Sequence, residues 1–233
     1  MQHNLTQTYR PKQLRELVGQ DHITSVIEAD LVERKPAGFY ICYGQSGAGK
    51  TTLARMAATY LNCTAFKNVP CNKCINCVKI RNGTSSLVRE INAADTTGVD
   101  ASRELIQSLR YVIGKDKFRI VIMDECHRLT KNAWDVWLKP LEDGIRNTVF
   151  FFCTTEIIKV PKTARSRAVN NGYNFKPVSD KQTFRVLKGI SKMENIDATD
   201  DQLERIAMDS EGSVRNAVNT LAQFYNAGAV DSD

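Results

Sequence analysis

"GQSGAGKT", residues Gly44–Thr51, fills every fixed position of the pattern G-x-x-x-x-G-K-[ST]. It follows "GFYICYG", a short apolar run ended by a glycine, which reads as a buried strand. It opens "GKTTLARMAATYLNC", in which Leu53, Met56, Ala57 and Leu61 fall on one helical face. A strand, a glycine turn and a helix in that order let backbone N–H groups close around phosphate oxygens. The helix N-terminus adds a dipole that favours negative charge. This reading assigns Gly44, Gln45, Ser46, Gly47, Ala48, Gly49, Lys50, Thr51 and Thr52 to a phosphate loop. Lys50 is expected at the terminal phosphates of ATP, and the Thr51 hydroxyl on Mg²⁺.

Further along, "KFRIVIMDE" is a strongly apolar strand that ends in Asp124 and Glu125. Ligands of open α/β sheets lie at the carboxyl ends of the strands. Asp124 is therefore expected to hold Mg²⁺, and Glu125 to act as general base on the attacking water. An acid directly after the magnesium-binding aspartate points to hydrolysis of ATP and not to binding alone. Cys126 and His127 complete "DECH". No other residues complete a catalytic triad with them, so Cys126 reads as a small apolar filler and His127 as the edge of the nucleotide cleft. "NTVFFFCTT" supplies the neighbouring strand and brings Thr154 or Thr155 within reach of the γ-phosphate or the lytic water. "ARSRAV" offers Arg165 and Arg167 as arginines able to stabilise a transferring phosphoryl group from a neighbouring subunit. The sequence alone favours ordinary surface arginines there.

The rest of the chain sets these motifs in a fold. "TQTYRPKQLRELVGQDH" lacks periodicity and reads as an ordered loop. "DHITSVIEADLVER" is a helix with Asp21 as N-cap. "SLVREIN" is a strand, "VDASRELIQSLRYVI" an amphipathic helix, and "NAWDVWLKPLED" a helix that Pro140 kinks or ends. Apolar strands alternating with helices are the pattern of an α/β fold, a parallel sheet covered on both faces. Met56, Met123 and Phe150–Phe152 are read as core. Beyond "FKPVSD" at 175–180 only helical signals follow, so residues 1–176 are expected to form one domain and 177–233 a small helical one.

Hydrophobic residues make up 42% and charged residues 25% of the 233 residues, which excludes a disordered chain. No apolar run approaches the roughly 20 residues that span a bilayer. "MQHNLTQTYRPKQLREL" has neither an apolar core nor a cleavage site for export. A cytoplasmic setting away from membranes is expected. The net charge of +6 leans weakly toward a polyanionic partner. Lys12, Arg15, Lys131, Lys159, Lys162 and Arg165 are scattered without interleaved aromatics and read as solvated faces.

Four of the seven cysteines fall within "CTAFKNVPCNKCINC", residues 63–77, spaced C-x7-C-x2-C-x2-C. In a reducing compartment such clusters hold metal more often than they form disulfides. Cys63, Cys71, Cys74 and Cys77 supply the four thiolates of a closed tetrahedral Zn²⁺ site within an inserted module, residues 62–80. An iron–sulfur cluster is the competing reading, but there the fourth ligand follows the run and is itself followed by proline. Free thiols are the third. Four thiolates and Zn²⁺ sum to −2, which Lys67, Lys73, Lys79 and Arg81 would offset.

Taken in order, "YRP", "LVGQDH", "GQSGAGKT", the cysteine cluster, "VIMDECH", "CTT", "RSR" and "GSVRNA" resemble the AAA+ ATPases of the clamp-loader group, above all the gamma/tau motor subunits of bacterial DNA polymerase III. The resemblance implies a RecA-like parallel sheet with a helical lid, and ATP, Mg²⁺ and structural Zn²⁺ as cofactors. It implies Tyr9, Arg10, Pro11 and Val18 near the adenine, Thr155 as first sensor and Arg215 as second sensor. Arg167 matches the finger that enters a neighbour's site. The implied partners are a sliding clamp, other loader subunits in a hetero- or homo-oligomer, and primer–template DNA. A branch-migration or initiator motor of the same class, or an ATP-binding structural subunit, is the alternative.

The departures are local. "SRA" (Ser166–Ala168) stands where the family has Ser-Arg-Cys, with the arginine kept. "LEDG" replaces a proline-containing acidic turn. Thr96 and Gly98 stand where relatives often carry basic residues, so contacts of that loop with DNA are expected through hydroxyl and backbone groups. The family continues into a helical collar past the position of Asp233, which suggests a truncated or a reduced, viral form.

Overall fold

The computed structural model describes residues 4–65, 69–95, 98–111, 114 and 117–230, with side chains as far as 224. Five strands run β1 (Phe39–Gly44), β2 (Val88–Asn92), β3 (Arg119–Asp124), β4 (Thr148–Thr154) and β5 (Tyr173–Phe175). They form one parallel sheet in the order β2-β3-β4-β1-β5. The helices with them are α1 (Leu5–Thr8), α2 (Asp21–Val32), α3 (Lys50–Asn62), α4 (Ile75–Arg81), α5 (Val99–Ser108), α6 (Lys131–Asp143) and α7 (Lys162–Arg165). After the sheet come α8 (Asp180–Glu194), α9 (Asp200–Asp209) and α10 (Val214–Val230).

The α/β expectation holds, and the reason can be followed along β4. Every residue of Thr148–Thr154 is buried, as a central strand covered on both faces requires. Side chains alternate across the sheet. Phe151 stacks on Tyr40, in the layer that also buries Ile23, Leu53, Met56 and Leu61 of α2 and α3. Phe150 and Phe152 face the other way and meet Trp137 edge-on, in the layer with Leu105, Met123 and Trp134. A third cluster joins Leu187, Ile190, Leu203, Ile206, Val218 and Leu221 of α8–α10, and Leu5 of α1 belongs to it.

Several local expectations are corrected. The stretch read as a loop before α2 contains α1 and a 3-10 turn at Leu14–Glu16. Asn4 caps α1, accepting the Gln7 N–H at 3.2 Å, and burial of Leu5 and Leu14 supplies the ordering that short polar sequence did not advertise. Asp21 is the first residue of α2, not its cap. Gln20 holds the cap position, with its buried side chain turned to residue 176: Nε2 donates to the Lys176 carbonyl at 2.7 Å and Oε1 accepts the Lys176 N–H at 3.2 Å. Pro140 does not end α6, which runs on to Asp143 and closes at Gly144, φ +72°. A proline in the last turn forfeits one backbone bond but leaves its own carbonyl free, and the Gly144 N–H takes it at 3.1 Å. Strand β5 and helices α4 and α7, three to seven residues long, were too short to carry a periodic signal.

Replacing Phe152 with Ala removes a fully buried ring that touches Phe39, Trp134, Trp137 and Phe150. We expect a loss of about 3–5 kcal/mol in urea unfolding.

Candidate functional site

The strand order brings the sequence motifs together. β4 lies between β1, which ends in Gly44, and β3, which ends in Asp124. All three strands point their carboxyl ends the same way, so the glycine loop and the acids share one rim. A cleft of about 220 Å³ opens there. Its polar half is made by Ser46–Thr52, Asp124 and Glu125.

The loop's glycines are needed where the backbone is left-handed and crowded. Gly47 has φ +78°, and a Cβ on it would overlap the Ser213 hydroxyl and press on Arg215. A Cβ on Gly44, φ +139°, would overlap the Phe175 carbonyl. Gln45 reaches the same turn as Gly47, donating from Nε2 to the Glu211 carbonyl at 2.8 Å. The glycine loop is thus in direct contact with the turn that begins α10.

Lys50 is the first residue of α3 and is buried, with Nζ donating to the carbonyls of Gly44 at 2.8 Å and Gln45 at 2.9 Å. Burial lowers its pKa, opposed by Cys153 and by the carboxylates of Glu125 and Asp124. Both carbonyl contacts are ones a cationic ligand of phosphate could exchange. Thr51 Oγ1 donates to Asp124 Oδ2 at 3.3 Å, so the two groups expected on Mg²⁺ already touch. These donors, a hydroxyl and a carboxylate, suit a hard, oxygen-seeking cation.

Glu125 sits on left-handed backbone, φ +50° and ψ +42°, an unusual state for a residue with a side chain. Its N–H donates to Asp124 Oδ1 at 3.0 Å. The Thr155 hydroxyl donates to Glu125 Oε2 at 3.2 Å. The two threonines left open by sequence therefore separate: Thr155 touches the acid, while Thr154 is fully buried, with Oγ1 2.9 Å from His127 Nδ1. Cys126 is buried, and burial pushes its thiol pKa up, as befits an inert filler.

Tyr9, Arg10, Pro11 and Val18 line the cleft, as does Arg215. Burial and the neighbouring guanidinium of Arg55 lower the pKa of Arg10, with Glu90 opposing and Arg215 adding to the shift. The Tyr9 hydroxyl donates to Glu194 Oε1 at 2.5 Å, tying the N-terminal segment to α8. Sequence reading missed the apolar wall opposite: Val186 and Ile190 of α8, Val214 and Val218 of α10, and Leu5. The i,i+4 spacing of each helix pair was the available signal. Arg167 does not line the cleft. Its Nη2 lies 2.5 Å and its Nε 3.0 Å from Glu142 Oε2, and Nη1 donates to the Thr163 carbonyl at 2.6 Å.

The four cysteines also converge. Sγ atoms of Cys63, Cys71, Cys74 and Cys77 lie within 4.8 Å of one another, with Cys71–Cys77 at 4.0 Å and Cys74–Cys77 at 3.4 Å. Tetrahedral Zn–S bonds place sulfurs about 3.8 Å apart. Backbone N–H groups of Ala65 and Cys71 point at Cys63 Sγ, at 3.4 and 3.3 Å, and that of Cys74 at Cys71 Sγ, at 3.3 Å. Against the upward push of burial, hydrogen bonds from Thr64 and Cys77 bring the Cys74 thiol down to about 6, whereas burial drives Cys77 up. Lys67 and Thr96 lie outside the described residues. Gly98 caps α5 by its carbonyl, 3.3 Å from the Ser102 N.

Residues 19–179 match the family model described as DNA polymerase III, delta subunit. The chain belongs to that family. Among curated proteins it is 34% identical over 225 residues to DNA polymerase III subunit gamma of Buchnera aphidicola subsp. Acyrthosiphon pisum (strain APS), covering 96% of this chain and 62% of that one. It is 33% identical over 220 residues to DNA polymerase III subunit tau of Bacillus subtilis (strain 168), covering 94% and 39%. The chain thus spans less than two thirds of these relatives. Among solved structures, the Thermotoga maritima RuvB Holliday junction branch migration motor superposes with a TM-score of 0.66 at 20% identity, covering 91% of this chain and 63% of that one. At that identity the likeness is one of fold alone: an α/β fold built on a parallel sheet. No described helix is long and apolar enough to cross a membrane.

Gly47→Ala should strain the loop and push the Ser213 turn away. We expect a fall of about 1–3 kcal/mol in stability, read by thermal unfolding.

Proposed function

We propose that the chain is the ATP-hydrolysing motor subunit of a DNA-replication clamp loader, which opens a sliding clamp and closes it on primer–template DNA. The observation that carries the reading is the convergence of Lys50, Thr51, Asp124, Glu125 and Arg215 on one cleft. In this reading residues 1–176 form the ATPase domain and 177–233 its lid. The Gly44–Thr52 backbone and Lys50 bind the phosphates. Thr51 and Asp124 would hold Mg²⁺, which neutralises phosphate charge when bound. Tyr9, Arg10, Pro11 and Val18 pack the adenine against the apolar wall. Glu125 takes the proton of the attacking water, and Thr155 and Arg215 orient the acid and the nucleotide. Arg167, outside its own cleft, serves a neighbour's site, which makes hydrolysis depend on assembly with other subunits.

The cysteines fit a closed structural Zn²⁺ site. Four sulfurs leave no position for a substrate, and N–H groups aimed at the sulfurs stabilise thiolate charge. Lys73, Lys79 and Arg81 lie beside the cluster and offset its charge. The module hangs on the end of α3, where Asn76 Nδ2 donates to the Asn62 carbonyl at 2.8 Å and Arg34 to that of Cys63.

A branch-migration motor is the second reading, favoured by the likeness of fold to RuvB. ATP turnover measured with clamp and primed DNA, and separately with a four-way junction, distinguishes the two. Stimulation by clamp and primed DNA supports the loader; stimulation by the junction alone overturns it. Glu125→Gln should lower turnover at least about 100-fold while ATP remains bound, read by single-turnover hydrolysis and nucleotide retention. Cys74→Ser should reduce zinc, measured by elemental analysis, from one per chain toward none and lower the melting temperature.

A further inference from the structure

We propose that His127 is a positioning residue for Glu125, with Glu156 anchoring the ring from its other side. The inference rests on the reading of Glu125 as the base that acts on water.

His127 is nearly buried, its side chain 8% exposed, and it does not line the cleft. Its influence on the chemistry must pass through Glu125. Nδ1 lies 3.3 Å from Glu125 Oε2 and 2.9 Å from Thr154 Oγ1. Nε2 lies 3.2 Å from Glu156 Oε1. The ring is therefore held at both nitrogens, between the acid of the cleft and an acid on the segment that leaves β4. That segment is fixed in turn: the Glu156 N–H donates to Thr154 Oγ1 at 2.9 Å, and Lys159 Nζ pairs with Glu156 Oε2 at 2.8 Å.

A glutamate has three side-chain torsions, and Glu125 starts from a left-handed backbone at the rim of an open cleft. Its Oε2 is met by the Thr155 hydroxyl on one side and by the imidazole on the other. Nδ1 shares its hydrogen bond with the Thr154 hydroxyl, and Nε2 faces Glu156, so the ring's orientation is fixed from both sides. The ring edge then stands 3.3 Å from Glu125 Oε2 and limits the positions that carboxylate can take. Glu156 thus acts on the base by keeping the ring in place. Misplacing a base by about 1 Å costs on the order of 100-fold in rate.

The test uses the full chain with Mg²⁺ and ATP, measuring single-turnover hydrolysis beside the affinity for a fluorescent ATP analogue. His127→Ala should lower the rate about 10–100-fold with affinity held within about threefold. His127→Asn, whose amide reaches the Nδ1 position, should recover most of the rate; His127→Gln, which reaches only the Nε2 position, should not. An unchanged rate in His127→Ala, an equal loss of rate and affinity, or recovery by Gln and not by Asn overturns the proposal. Should His127→Ala fail to fold, the half-exposed Glu156→Gln decides: a several-fold slower rate at unchanged affinity supports the role, and an unchanged rate overturns it. Glu125→Gln in the same assay separates the two levels. Turnover retained there removes the base itself and the proposal with it, whereas turnover lost there with silent His127 variants removes only the positioning.

Discussion

The pairing of β4 with β1 on one side and β3 on the other is the constraint from which the site follows. A parallel sheet aligns all its carboxyl ends, and three adjacent strands spread their last residues over one rim. Gly44 then opens a loop at one strand's end, Asp124 closes the strand two places away, and Thr154 and Thr155 stand between them. No residue of the cleft selects this geometry. It is imposed by buried backbone pairing and by a β4 so apolar that it has no stable place except the middle of a covered sheet.

The parts legible in the sequence were those with strong periodicity or fixed spacing. The sheet's four longer strands, the six helices of ten or more residues before α10, and α10 itself all carried such signals. The glycine loop and the terminal acids were legible because the chemistry dictates residue type at each position. What escaped was set by contacts distant in sequence. Gln20 forsakes a capping role to clamp Lys176, a choice visible only when the two segments meet. Val186, Ile190, Val214 and Val218 look like lid core, and the fold turns part of that face onto the cleft. The strand motif by itself left Thr154 and Thr155 open, since packing sets which of two adjacent residues turns inward; the family resemblance pointed to Thr155, the one that meets Glu125.

Charge is handled differently at the two clusters. Around the glycine loop Arg10, Lys50 and Arg215 oppose Glu16, Asp124 and Glu125 in one small space, and Lys50 donates to carbonyls while burial works against its charge. The cysteine cluster instead gathers four sulfurs and aims the N–H groups of Ala65, Cys71 and Cys74 at two of them. The first arrangement suits a ligand that arrives and departs with its own charges. The second suits a cation that stays.

The placement of Leu5 has a consequence in time. It belongs to one core with Leu187, Ile190, Leu203 and Leu221, so residue 5 shares a core with helices made only after the whole sheet. The sheet can pair all its strands once residue 175 is available, yet the wall against which the N-terminal segment folds is completed only with α10. During synthesis Leu5 must wait for these partners while the sheet forms. The cleft, lined by Leu5 and Tyr9 as well as by Val214 and Val218, therefore closes only after the sheet, through contacts far apart in sequence.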